Sequence, residues 1–163
     1  MIKILFICHG NICRSPMAEF VLKDMIKKEN SHRPAGRALP ECFVASAATS
    51  TEEIGNPVHR GTRDILRRHG IDTSGKQARQ MTKKDYGEYD YLIAMDQWNI
   101  RNMLRITGGD QEKKICRLLD FTDRGGDIAD PWYTGDFETT YADVTRGCRA
   151  LLEHIVALNT ENG

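Results

Sequence analysis

The chain has no excess of charge of either sign. Its 163 residues include 23 Lys+Arg and 23 Asp+Glu, so the formal net charge is zero. No bulk attraction is available to hold nucleic acid or an anionic membrane, and neither is expected as a partner. No apolar run approaches the roughly 18 residues that a membrane-spanning helix needs. Internal repeats and low-complexity tracts are absent. Met1–Ile7 is too short an opening for a secretory signal. Cysteine is scarce and odd in number: five, at positions 8, 13, 42, 116 and 148. That spacing does not suit a secreted disulfide framework, so a reducing cytoplasm is the expected setting. No His/Cys/Asp cluster has zinc spacing, and no metal or cofactor is expected.

What is present is ordinary for one globular domain spanning 1–163, with 40% hydrophobic and 28% charged residues. Lys3–Ile7 is nearly all apolar and predicts a strand buried on both faces. After the turn Cys8-His9-Gly10-Asn11, Ser15 reads as an N-cap and Pro16 as a first helical residue. Met17, Phe20, Val21 and Met25 carry the helix to about Lys28. Glu29–Glu41, with Pro34, Gly36 and Pro40, reads as a loop. Cys42–Ser46, Tyr89–Met95 and Lys114–Leu118 predict three further strands. A helix ending near His69, a helix over 97–107 and a terminal helix with Phe137, Tyr141, Val144, Cys148, Leu151, Leu152 and Ile155 on one face complete the set. Strands alternating with helices predict an α/β fold: one doubly wound domain, a four-stranded parallel sheet and helices on both faces. Its active site belongs beyond the carboxyl ends of the strands.

Cys8–Ser15 lies there. A loop wound around a helix N-terminus turns backbone N–H groups toward one point, and those donors bind an anion. Gly10 permits positive φ, and Asn11 tolerates it. Arg14 adds a planar fork for two phosphate oxygens. Cysteines in such fields ionise readily, and Ser15 is placed to donate its hydroxyl to the Cys8 sulfur. A free cysteine usually just packs, and Cys-x5-Arg alone arises by chance. The preceding buried strand, the Gly10-Asn11 turn and the Ser15-Pro16 helix start shift the reading to catalysis.

The run Cys8 to Glu19, Cys-His-Gly-Asn-Ile-Cys-Arg-Ser-Pro-Met-Ala-Glu, resembles the signature of the low-molecular-weight protein tyrosine phosphatases. Ala78-Arg79-Gln80 and Tyr91–Asp96 resemble further family segments, and Asp130-Pro131-Trp132-Tyr133 resembles its general-acid loop. The resemblance implies metal-independent hydrolysis of phosphotyrosine, in proteins or small aryl phosphates. Cys8 would attack phosphorus and form a cysteinyl-phosphate. Arg14 and the loop of His9, Gly10, Asn11, Ile12, Cys13 and Ser15 would hold the oxygens. Asp130 would protonate the leaving phenol and then help water hydrolyse the intermediate, while Trp132 and Tyr133 would wall the substrate ring. Cys13 has two readings, a small packed side chain of the loop or, as the resemblance implies, the partner of a protective disulfide with Cys8 under oxidant.

The chain departs from many relatives in places. A histidine that braces the loop asparagine and serine in them is replaced here by Lys76 or Gln77, and the long Glu29–Glu41 stretch is expected to cover part of the site. Three rival activities use a similar loop. Arsenate reductases need closely spaced relay cysteines, and this chain has none between Cys42 and Cys116. Phosphotransfer modules of sugar transport lack a general acid, which Asp130 would supply. Phosphoarginine phosphatases carry threonine at the position of Ile12.

Overall fold

The computed structural model describes residues 1–162; the last residue of the expected domain, Gly163, lies outside them. The elements run β1 (Ile2–Cys8), α1 (Arg14–Ser31), β2 (Cys42–Ala48), α2 (Arg60–Arg68), α3 (Lys83–Glu88), β3 (Tyr91–Ala94), α4 (Gln97–Thr107), β4 (Ile115–Arg117), α5 (Pro131–Thr134) and α6 (Phe137–Asn162). A 3₁₀ turn, Leu118–Phe121, follows β4. All strands pair in parallel, in the order β2-β1-β3-β4. The α/β fold expected from the alternation is the one observed.

Alternation along β1 builds the two layers. Ile4, Phe6 and Cys8 face a cluster with Met17, Val21 and Leu22 of α1, Ile65 and Leu66 of α2, and Val144, Cys148 and Leu151 of α6. Leu5 and Ile7 face the other way, onto Leu92, Ala94, Met81 and Met103 of α4. A strand buried on both faces must be apolar at successive positions, which is why Ile4–Ile7 reads as a run.

The chain turns to β2 on one side of β1 and to β3 on the other. The crevice between β1 and β3 is therefore the topological switch point, where doubly wound sheets place their sites. Cys8 ends β1 and Asp96 follows β3 by two residues, so both open onto it.

Several boundaries differ from the sequence reading. Helix α1 starts at Arg14, so Ser15 is not its N-cap; Cys13 holds that place without a side-chain bond. The Ser15 hydroxyl is engaged by the site instead. Helix α1 also runs to Ser31, and Asn30 Oδ1 accepts from Leu39 N–H at 2.8 Å. Ile2 N–H bonds Glu41 O, so the following loop sits at the amino end of the sheet, opposite Cys8, and does not cover the site. The short helices α3 and α5 were not expected. Each has a local start signal: Thr82 and Asp85 form a capping box, and Asp130 Oδ1 accepts from Trp132 N–H at 3.1 Å just ahead of Pro131.

Candidate active site

The loop after β1 is shaped by where its carbonyls go. Cys8 O accepts from Thr49 N–H and His9 O from Ser50 N–H, both at the end of β2. Ile12 O accepts from His59 N–H at 2.8 Å, and Cys13 O from the Thr62 hydroxyl at 3.0 Å, both at the start of α2. Because each peptide unit is planar, carbonyls drawn outward leave the N–H groups facing in. Asn11 N–H and Ser15 N–H point at Cys8 Sγ, at 3.3 and 3.4 Å, and Ser15 Oγ lies 3.0 Å from the same sulfur. The N–H groups of Gly10, Ile12 and Cys13 have no partner among the described residues and stand ready for an anion. The left-handed turn that closes the loop falls on Asn11, at φ 59°, and not on Gly10. Gly10 is small for a different reason: a Cβ there would meet Glu53 Cγ at 3.3 Å.

Arg14 is 2% exposed and fixed on one side. Its Nη1 donates to Asp96 Oδ2 at 2.6 Å and to Ile128 O at 2.9 Å. That leaves the Nε and Nη2 edge as the fork, with Nη2 donating one long bond, 3.4 Å, to Asp130 Oδ2. Burial works against the Arg14 charge, but the Cys8 sulfur, Asp96 and Asp130 outweigh it, and its pKa stands above the ordinary arginine value. Cys13 behaves oppositely. Burial first, then charge on Cys8 and Asp130, pushes its thiol up to about 12. It is a neutral lining group.

Behind the loop runs a buried chain of hydrogen bonds. Asn11 Nδ2 donates to Ser15 Oγ at 2.7 Å and to Ser46 Oγ at 2.9 Å, and Ser46 donates to Glu19 Oε1 at 2.6 Å. Arg79 N–H donates to Asn11 Oδ1 at 3.2 Å. The directions are forced. The Ser46 hydroxyl donates to Glu19 and accepts from Asn11. Asn11 fills a lone pair of Ser15, whose own hydrogen then faces the Cys8 sulfur at 3.0 Å and Ala47 O at 3.5 Å. Lys76 Nζ stands 3.2 Å from Glu19 Oε1 and donates to Ser46 O at 2.9 Å, so the place left without histidine is braced by a lysine after all. Burial lowers the Lys76 pKa, and Glu19 opposes that.

All the catalytic and most of the binding residues expected from sequence meet in one cleft of about 110 Å³. Cys8, His9, Gly10, Ile12, Cys13, Arg14, Asp130, Trp132 and Tyr133 line it, together with Glu52 and Glu53. Asn11 and Ser15 lie beneath it as braces, 1% and 0% exposed. The His9 side chain is half exposed and pairs with Glu52 at 3.0 Å. Trp132 and Tyr133 stand open at the mouth, 57% and 83% exposed. Sequence reading missed Asp96, Glu19, Ser46 and the Glu52–Glu53 rim. Asp96 carried a signal: an acid just past the strand neighbouring β1. Glu19 closes the family-like run Cys8 to Glu19; Ser46 and the Glu52–Glu53 rim show no signal, because their partners are brought to them only by the fold. Among the described residues no group of His, Cys, Asp and Glu is arranged to hold a metal ion.

A thiol under converging N–H donors, a tethered arginine fork and a carboxyl across the cleft form a phosphate cradle with a nucleophile and a proton donor. The family model described as low molecular weight phosphotyrosine protein phosphatase matches residues 3–161. The low molecular weight protein-tyrosine-phosphatase YfkJ of Bacillus subtilis is 41% identical over 157 residues, 95% of this chain and 96% of the relative. PtpA of Staphylococcus aureus, of the same description, is 35% identical over 96% of this chain and 95% of its own length. The crystal structure of YfkJ superposes with a TM-score of 0.86 at 41% identity, covering 95% of this chain and 94% of that one. That of the Drosophila arginine phosphatase DARP does so with a TM-score of 0.82 at 28% identity, over 94% and 97%. Site and sequence agree along nearly the whole chain, which belongs to the low molecular weight phosphotyrosine protein phosphatase family.

Proposed function

We propose that this phosphatase acts on phosphotyrosine in proteins, and on small aryl phosphates, through a phosphate ester of Cys8. The observation that carries the reading is the convergence on one sulfur of two backbone N–H groups and the Ser15 hydroxyl, beside the Arg14 fork. The phosphate enters over the loop, its oxygens taken by the unpaired N–H groups and by Arg14 Nε and Nη2. Cys8 Sγ attacks phosphorus in line. Asp130, on the far wall of the cleft, gives its proton to the departing phenol oxygen. It then takes a proton from the water that attacks the thiophosphate, and Cys8 leaves as thiolate with the Ser15 hydroxyl donating to it. Trp132 and Tyr133 flank the ring of the leaving group. The whole chain acts as one domain, in the cytoplasm; no helix among the described residues is long and apolar enough to cross a membrane.

The likeness to an arginine phosphatase makes phosphoarginine the rival substrate. Ile12 favours tyrosine: it presents an apolar surface to the cleft where an aryl ring would lie, and offers no hydroxyl. The rates on a phosphotyrosyl and a phosphoarginyl peptide of one sequence, compared in EDTA, test this. The phosphotyrosyl peptide is expected to be strongly preferred, with Ile12→Thr narrowing the gap. A preference for the phosphoarginyl peptide would reassign the substrate.

A further inference from the structure

The acid loop is held from one side by a residue the mechanism does not otherwise use. Asp130 hangs on its own short helix: Oδ1 accepts from Trp132 N–H while Oδ2 meets Arg14 Nη2 at 3.4 Å, so what fixes Trp132 fixes one side of the carboxyl. Trp132 is 57% exposed and is not anchored in the core. Among the described residues its one aromatic-ring contact is with His59, edge-on, with centroids 5.6 Å apart. The other side of that story is Phe137, the first residue of α6, which stacks with the same imidazole at 5.2 Å and 12°.

His59 is itself pinned. Its N–H donates to Ile12 O in the phosphate loop, and its Nδ1 accepts from Gly61 N–H at 3.0 Å, capping α2. Gly61 is part of the device. A Cβ there would lie 2.3 Å from Phe137 Cζ, so only glycine lets the phenyl ring close over the first turn of α2. One residue thus ties the nucleophile's loop by its main chain to the acid's loop by its ring.

We propose that His59 is a positioning residue for general acid catalysis: its ring, in contact with Phe137 and Trp132, sets where Asp130 stands relative to the Cys8 sulfur. The proposal rests on the reading of Asp130 as the proton donor. Displacement of a catalytic group by even an ångström costs rate steeply. The loss falls on the step that needs the proton, and so on poor leaving groups.

Two variants separate the ring from the cap. His59→Asn keeps a short acceptor for Gly61 N–H and loses the stack, since asparagine caps helices well. His59→Phe keeps the stack and loses the acceptor. For each, kcat/KM is measured on aryl phosphates from p-nitrophenyl to phenyl, together with competitive inhibition by orthophosphate, which reports on the Cys8–Arg14 cradle. Asp130→Asn is the reference. General acid catalysis supplies a factor of about 10²–10⁴, so His59→Asn is expected to lose about tenfold on phenyl phosphate and only about twofold on p-nitrophenyl phosphate. Orthophosphate inhibition stays as in the parent enzyme. His59→Phe is expected to keep the parent's leaving-group dependence. If His59→Asn keeps it as well, or if His59→Phe loses it equally, the ring does not position the acid and the proposal is overturned. If Asp130→Asn itself shows the parent's dependence, the proton-donor reading fails first, and the experiment says so separately.

Discussion

Asp96 grips Arg14: its Oδ2 accepts from Nη1 at 2.6 Å while its Oδ1 caps α4 through Asn99 N–H at 2.8 Å. One carboxylate therefore orients the phosphate fork and starts a helix. Asp96→Asn keeps the capping oxygen but loses the charge that holds the guanidinium. It is expected to keep stability near that of the parent and to lose about tenfold or more in kcat/KM, the cost of removing a charge-assisted bond of roughly 1.5–3 kcal/mol. Asp96→Ala is expected to lose about 1 kcal/mol of stability in addition, through the cap. Urea denaturation and steady-state kinetics on p-nitrophenyl phosphate separate the two effects. Equal stability of the two variants would contradict the double role.

Asn11 combines a left-handed backbone, at φ 59°, with three side-chain bonds. Asn11→Gly relieves the backbone and breaks the network; Asn11→Ala breaks the network and adds strain of about 1–2 kcal/mol. The alanine variant is expected to unfold at lower denaturant than the glycine variant, with both well below the parent in kcat. Equal midpoints would mean that the backbone is not under constraint there.

The cysteines divide by environment. Burial pushes Cys13 and Cys116 up to about 12, and raises Cys42 and Cys148 as well. Since thiolates are the species that alkylate, iodoacetamide at pH 7 is expected to modify Cys8 first, with phosphate protecting it. Peptide mass mapping reads the site. Rapid labelling of Cys13 would contradict its assignment as a neutral group.

Burial, the largest cause of the rise at Cys13, gives a pH dependence for oxidation. If peroxide converts Cys8 to a sulfenic acid, Cys13 closes a disulfide only as thiolate, and its thiolate fraction rises about tenfold per pH unit below its pKa. Closure is therefore expected to accelerate from pH 7 to 9, and dithiothreitol is expected to restore activity. In Cys13→Ser the loss becomes irreversible. Closure that levels off as pH nears 9, as an ordinary thiol would, contradicts the raised value.

Gly147 tests the fold away from the site. It sits on α6 where a Cβ would come 2.5 Å from Leu118 Cγ. Leu118 is fully buried, so Gly147→Ala overpacks the layer and is expected to cost about 1–3 kcal/mol, against the gain in helix propensity that alanine gives elsewhere. A stabilised variant, measured by thermal melting, would mean that the layer has room.

What was legible in the sequence was whatever is local. Cys8, Arg14 and the loop between them lie within seven residues, and the apolar runs of β1 and β3 and the periodicity of α6 announce the layers directly. Ser15 was misplaced because a serine before proline carries the same signal whether it caps a helix or serves a neighbouring sulfur. Lys76 looked like a gap because a lysine seldom pairs in a core, yet the buried Glu19 gives it a partner that only folding supplies. Ser46 and His59 reach their partners across the sheet or between helices. Spacing along the chain holds no record of such contacts.

The central claim is that Cys8 is the atom that takes the phosphoryl group. Rapid acid quench of the enzyme with a ³²P-labelled aryl phosphate, in EDTA, is predicted to trap up to one phosphate per chain, mapped to the Cys8 peptide, with Cys8→Ser showing neither trapped phosphate nor turnover. Hydrolysis that persists in Cys8→Ser, or label found on another residue, would contradict it.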